Sequence, residues 1–219
     1  MITPRIAVLD YGIGNLRSAQ KTLEHVGADA RLTVDPDDVA AADGVVLPGV
    51  GSFGRVMEAI RAEGVDELAL GAVESRRPFL GICVGMQVLY ESSDESPGVE
   101  GLGVLIGRVR SLSPEVKRPQ MQWNRLRFPT DERSPLFDGI EDGAWVYFVH
   151  SYAPEATADV IATCDYGGTV TAAAQRGAVF ATQFHPEKSG PVGVRVIANF
   201  VAQCRAWTEG TAPPERDEA

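Results

Sequence analysis

Residues 79–89 read Phe-Leu-Gly-Ile-Cys-Val-Gly-Met-Gln-Val-Leu. An apolar run enters this stretch, a helix-spaced pattern leaves it, and Cys83 stands at the junction between Gly81 and Gly85. Strand, glycine-flanked turn and helix in succession form the nucleophile-elbow pattern, in which small neighbours relieve backbone crowding and the central side chain projects from the end of the sheet. A cysteine so placed lies at a helix N-terminus, where the dipole and the free N–H groups favour the thiolate. The competing reading is a packing residue, because cysteine is among the most buried residue types. Only three cysteines occur in the chain, and the other two, Cys164 in IATCDYG and Cys204 in the last helical segment, lack such surroundings and read as packing residues.

Working outward, the first half alternates short apolar runs with amphipathic segments. RIAVLDYG, ARLTV, GVVLPG and PFLGI read as strands; Asn15 to Val26, with Asn15 as its cap, and Phe53 to Glu63 read as helices. Such alternation implies βαβ units around a parallel sheet. After Gly98 the segments GVLIGRVRSL, WNRLRF, AWVYFVHSYAP, DVIATCDYG, VTAAAQ and VFATQFHP are strand-like and separated by turn residues, which predicts antiparallel pairing. Val192 to Trp207 returns to helical spacing. The fold expected is α/β: a mostly parallel, doubly wound sheet flanked by helices, with an added antiparallel β region in the second half. One domain over 1–207 and a frayed polar tail over 208–219 complete the organisation.

At 219 residues the chain can bury a substantial core in one domain. Thirty acidic against 20 basic residues give a net charge of −10, which repels phosphate backbones and anionic lipid, and no basic cluster offsets it. Nucleic acid and membrane are therefore not expected partners. No run approaches the roughly 18 apolar residues of a membrane span, the N-terminus carries no signal-peptide pattern, and three widely spaced cysteines offer neither a disulfide framework nor a zinc motif. These features predict a cytoplasmic protein without metal or cofactor.

A nucleophilic cysteine needs a base, and there are three histidines. His25 lies on a helix among charged neighbours and reads as a surface residue, leaving His150 and His185. In TQFHPEKS, Glu187 follows His185 by two positions, so on an extended strand both would share one face and the carboxylate would orient the imidazole. The run Pro48-Gly49-Val50-Gly51 follows a strand and can turn backbone N–H groups, with that of Val84, toward a developing oxyanion. Val50 stands between two glycines whose lack of Cβ lowers the barrier to rotating the peptide units, which suits a switch. DYGIGNL, by contrast, has Arg17 where a dinucleotide fingerprint needs its third small residue, so the nucleotide reading fails. From these residues alone a cysteine peptidase or esterase remains as open as an amidase.

Taken in order, Gly81-Ile82-Cys83-Val84-Gly85, Pro48-Gly49-Val50-Gly51 and His185-Pro186-Glu187 resemble the class I (triad) glutamine amidotransferases over nearly the whole chain, Ile6 to about Trp207. The segments LDYGIGNLRS, LPGVGSFG, GLGVL, MQWNRL, YFVHSY and FHPEKS narrow the likeness to members that feed a (β/α)₈-barrel cyclase. The resemblance implies that Cys83 attacks the side-chain amide of L-glutamine while His185, oriented by Glu187, moves the protons. It implies an oxyanion hole from Val50, Gly51 and Val84, and glutamine contacts from Gly51, Gln87, Glu95, His150, Ser151 and Tyr152. It also implies a heterodimer in which the cyclase receives ammonia, with Trp123, Asn124, Tyr147 and Lys188 near the interface.

Overall fold

The structure, a computed structural model, describes residues 2–129 and 133–211, so most of the tail expected to fray lies outside the described residues. The first half runs β1 (Arg5–Leu9), α1 (Leu16–His25), β2 (Asp29–Thr33), α2 (Pro36–Ala40), β3 (Gly44–Gly49), α3 (Phe53–Ala62), α4 (Val65–Glu74), β4 (Phe79–Cys83) and α5 (Val84–Gln87). The second half holds β5 (Ser92–Ser93), β6 (Arg108–Ser111), β7 (Gln120–Arg125), β8 (Trp145–His150), β9 (Tyr152–Pro154), β10 (Val160–Asp165), β11 (Thr169–Arg176), β12 (Val179–Thr182) and the long α6 (Gly190–Thr208). The main sheet has the order β10-β11-β12-β4-β3-β1-β2. Its β2, β1, β3, β4 and β12 are mutually parallel, while β11 and β10 close one side antiparallel. Every residue of β3 and β4 is buried, the pattern of strands covered on both faces.

Helix α1 buries Leu16, Ala19 and Leu23, one apolar stripe at helical spacing. Asn15 precedes it but does not cap it with its side chain; its Oδ1 takes the hydroxyl of Ser18 at 2.7 Å. Helix α4 had no counterpart in the sequence reading. It starts from Gly64 at φ +67°, packs Val65, Ala69 and Ala72 inward, and its small residues give a weak pattern.

Two expectations about the second half change. GVLIGRVRSL is strand only over β6, and β12 is antiparallel to β11 but parallel to β4. The parallel register matters for the site: Thr182 lies opposite Ile82, so the chain leaving β12 emerges beside Cys83.

The elbow is where packing is tightest. A Cβ at Gly49 would stand 2.5 Å from the amide nitrogen of Gly85, one at Gly81 would stand 2.8 Å from the Gly85 oxygen, and one at Gly85 would collide with the carbonyl of Leu47. None of these obstacles is a flexible side-chain tip. Gly85→Ala should therefore cost more than about 3 kcal/mol in urea unfolding, the range reserved for forced backbone displacement; a loss below about 1 kcal/mol would show that the turn can open without penalty.

Candidate active site

Cys83 ends β4 at φ 57°, ψ −112°, and is 3% exposed. Holding an L-residue there costs about 1–3 kcal/mol, which the surrounding strands must over-determine. Its sulfur lies 4.0 Å from the carbonyl oxygen of Val149 and 3.8 Å from Nε2 of Gln183.

His185 follows β12 by three residues and is 2% exposed. Its Nδ1 lies 2.8 Å from Oε1 of Glu187. A carboxylate only accepts, so Nδ1 carries the hydrogen, and the buried Nε2, without a hydrogen-bond partner, is left free for a proton in transit. Burial is the largest influence on the imidazole and opposes its charge. The nearness of the Cys83 sulfur and of the Glu187 carboxylate together outweighs it, pushing the pKa up to about 9.

The pair forms by a different geometry from the shared strand face expected. Pro186–Lys188 is a single 3₁₀ turn, with Pro186 at its first position, and this turn folds the carboxylate back onto the ring. The turn is itself tied to β8. His185 N–H donates to the Tyr147 carbonyl at 3.0 Å, Tyr147 N–H donates to the Ser189 hydroxyl at 3.0 Å, and that hydroxyl donates to the His185 carbonyl at 2.6 Å.

One cavity of about 160 Å³ is lined by Cys83 and His185 together with Val50, Gly51, Val84, Gln87, Glu95, Val149, His150, Ser151 and Tyr152. All the side chains and loop residues expected at the oxyanion hole and the glutamine pocket thus line a common space. An open depression of about 490 Å³ beside α3 has neither a cysteine nor a histidine in its lining.

Several of these residues are already committed. Gln87 uses Nε2 twice, toward the Tyr152 carbonyl and toward Oε1 of Gln183, each at 2.9 Å, so only its own oxygen is left for a ligand. Glu95 accepts the N–H of Phe53 at 2.8 Å, standing in for a cap at the start of α3. His150 has Nδ1 2.9 Å from the Tyr152 carbonyl, which assigns the hydrogen to Nδ1. Burial, with His185 adding to it and the Tyr152 bond opposing, lowers its pKa to about 4, so it is a neutral ring with a bare, buried Nε2.

The glycines around Val50 differ in kind. Gly49 pairs with Cys83 and is pinned against the elbow, so it supplies close approach rather than freedom. Gly51, at φ +100° with open space for 4 Å around the position a Cβ would take, is where the loop can rotate. On the other side, Tyr11 donates its buried hydroxyl to the Pro48 carbonyl at 2.5 Å.

The family profile described as glutamine amidotransferase class-I matches residues 7–204. The imidazole glycerol phosphate synthase subunit HisH of Synechococcus sp. (strain JA-3-3Ab) is 51% identical, over 90% of this chain and 93% of that relative. The subunit of the same name from Methanothermobacter thermautotrophicus is 50% identical, over 92% of this chain and 100% of its own length. The chain belongs to the class I glutamine amidotransferases, within the HisH family. Its fold agrees: a chain in the structure of PurLQS from Thermotoga maritima superposes with a TM-score of 0.72 over 92% of this chain and 99% of that one, at 21% identity.

In this glutamine amidotransferase the residues expected at a partner interface do not form one group. Trp123 and Tyr147 are opposite each other on the β7–β8 ribbon, with rings edge to face at 6.1 Å, and Lys188 is exposed. Asn124 is the next residue along β7 and so points to the other face; its Nδ2 donates to the Asp165 carbonyl at 2.9 Å, inside the chain. The face of Trp123 instead gathers Met121 and Trp145, which the sequence reading passed over; they are 63% and 48% exposed beside the 46% of Trp123.

Gln183, Ser189 and Tyr11 were also passed over. Gln183 stands two residues before His185, the same-face spacing that drew attention to Glu187; Ser189 and Tyr11 have no local signal, because their partners come from distant segments. Ser189→Ala removes the acceptor of the Tyr147 N–H, so it should lower stability by about 1–3 kcal/mol. Glutaminase kcat should fall severalfold with KM little changed, since the imidazole rather than the pocket loses its support; a change confined to KM would contradict that role.

Proposed function

We propose that this chain is the glutaminase subunit of imidazole glycerol phosphate synthase, hydrolysing L-glutamine to glutamate and passing the ammonia to a (β/α)₈-barrel cyclase partner in histidine biosynthesis. The observation that carries the reading is the meeting, in a single small cavity, of a cysteine held at φ 57° and a histidine paired to a buried carboxylate at 2.8 Å. The cavity is smaller than the roughly 300–1,000 Å³ of drug-sized sites, which suits one amino-acid side chain better than a peptide segment.

The sulfur of Cys83 attacks the amide carbon with its proton already held on His185 Nε2. The tetrahedral oxyanion is met by the N–H of Val84 and by the Val50–Gly51 segment. His185 then returns the proton to the leaving nitrogen, ammonia departs, and a glutamyl thioester remains. Water attacks next, its proton goes to His185, and collapse expels the sulfur as thiolate with glutamate as product. Glu187 keeps the imidazole in one tautomer and stabilises the imidazolium through both halves. In the pocket, the bare Gln87 oxygen and the Glu95 carboxylate suit the ammonium of an amino acid, and Ser151 and Tyr152 flank it. The exposed Trp123 face, with Tyr147 and Lys188, suits the cyclase.

Cys83→Ala should fold and hydrolyse no glutamine, and a glutamine-like electrophile should label wild-type enzyme at Cys83. The buried thiols Cys164 and Cys204 should stay unlabelled, burial having pushed the first up to about 11 and raised the second as well. Labelling at either of those, or full activity in the variant, would end the reading.

The pH profile follows from His185. Its folded pKa is raised above the ordinary 6.5 to about 9, so the proton is held through neutral pH and lost on the alkaline side. The stability this contributes is full below pH 6.5 and disappears as pH rises through about 9. Glutaminase kcat/KM should fall along an alkaline limb near pH 9, where the acid for ammonia departure is lost. Glu187→Gln removes a group that raises this pKa, so the limb should move to lower pH; an unmoved limb assigns it to another group.

A further inference from the structure

Gln183 is wholly buried and forms no part of the triad, yet its amide is tied at both ends. Oε1 accepts from Nε2 of Gln87 at 2.9 Å, and Nε2 lies 3.8 Å from the sulfur of Cys83. The two ends of an amide have nearly the same shape, so which one faces the sulfur is decided by partners. The chain of partners begins at a group with no choice. The Tyr152 carbonyl can only accept, so the end of Gln87 that lies 2.9 Å from it is the NH₂. The second hydrogen of that NH₂ faces Gln183, whose near end is therefore its oxygen. The NH₂ of Gln183 is left directed at Cys83. Flipping it would set NH₂ against NH₂ at one end and oxygen against sulfur lone pairs at the other.

We propose that Gln183 is a further catalytic residue: its side-chain N–H donates to the Cys83 sulfur and stabilises it as thiolate, in an orientation fixed by Gln87 and the Tyr152 carbonyl. The proposal rests on the reading of Cys83 as the nucleophile. A hydrogen bond to an ionised acceptor is stronger than one to a neutral acceptor. The donor therefore works when His185 has taken the thiol proton and again when the thioester collapses and the sulfur leaves. It works least in the thioester, where the sulfur is neutral. The backbone supplies the placement: β12 is parallel to β4 with Thr182 opposite Ile82, which brings the next residue of each strand side by side.

The test is the rate of Cys83 alkylation by iodoacetamide as a function of pH, in the full chain, with the modified residue located by mass spectrometry. Gln183→Met conserves volume and removes the donor. The midpoint should move up by about one pH unit, so that thiolate at neutral pH falls about tenfold, and kcat should fall by a similar factor with KM little changed. Gln183→Glu keeps the acceptor for Gln87 but turns a carboxylate oxygen to the sulfur, and the midpoint should move at least as far in the same direction. If Gln183→Met does not fold, Gln87→Met, which frees the Gln183 amide to turn, should give a smaller shift of the same sign. Midpoints equal to wild type in folded variants of lowered stability mean that Gln183 only fills space, and overturn the proposal. Wild-type Cys83 that reacts with neither iodoacetamide nor a glutamine-like electrophile overturns the nucleophile reading instead.

Discussion

Three backbone segments meet at the elbow with no room for a side chain between them. Gly85 faces the Leu47 carbonyl, Gly49 faces the Gly85 amide, and Gly81 lies under the Gly85 oxygen and Leu89. This contact decides where Cys83 can be. With β3 drawn against the first turn of α5, the chain passes from β4 into the helix with residue 83 at positive φ. The local cost is offset by the two fully buried strands on which the turn rests. The same closeness brings Val50 and Gly51 into the lining of the cavity that holds the sulfur. Cys83 and the candidate oxyanion loop are thus set by one packing event, and a change that opens it would displace both.

The candidate base, His185, arrives by another route, and its charge is handled separately. Burial alone would leave His185 neutral at physiological pH; the neighbouring sulfur and carboxylate reverse that balance. His150, in the same cavity but with only a carbonyl beside it, goes the other way and stays neutral. Two imidazoles in one small space therefore differ in charge, and the difference comes from their neighbours: the Cys83 sulfur and the Glu187 carboxylate for His185, a peptide oxygen for His150. Environments that push the titration of paired groups apart are the usual means by which a site assigns a proton carrier.

Much of this was legible in the sequence, and the remainder has identifiable causes. The elbow could be read because sharp turns restrict residue type: glycine at 81 and 85 is demanded by sterics, so the pattern around Cys83 is local. The parallel half of the sheet could be read because strands buried on both faces leave apolar runs such as GVVL and PFLGI. The direction of β12 could not, since parallel and antiparallel neighbours use the same residues in a short strand and the choice is made by β4, far away along the chain. The pairing of His185 with Glu187 was expected for a reason that does not hold; adjacency of two residues survives whether the backbone between them is strand or 3₁₀ turn, so the spacing carried the right pair through the wrong geometry. Asn124 shows the converse. It shares a motif with Trp123, yet the alternation of β7 sends the two side chains to opposite faces, and only knowing that the segment is a ladder strand separates them. Ser189 acts through the backbone of β8, which no spacing within its own segment reveals; Gln183 has the two-residue spacing to His185, but its partner Gln87 comes from α5.

One carbonyl ties the polar side of the cavity together. The oxygen of Tyr152 accepts from Nε2 of Gln87 and faces Nδ1 of His150, both at 2.9 Å, so its two lone pairs are both engaged. Each of those bonds fixes the far end of its side chain. For Gln87 it leaves the amide oxygen bare and sends the remaining N–H to Gln183; for His150 it leaves Nε2 as a lone pair. The resulting pattern of donors and acceptors depends on a main-chain atom, not on the ring of Tyr152, and a backbone oxygen can neither change its charge nor turn independently of β9. Orientation in this site therefore runs outward from the backbone: from Tyr152 to Gln87, from Gln87 to Gln183, and from Gln183 to the sulfur. A side chain substituted along that line loses more than its own contact, because every group beyond it is released from the choice the carbonyl had made.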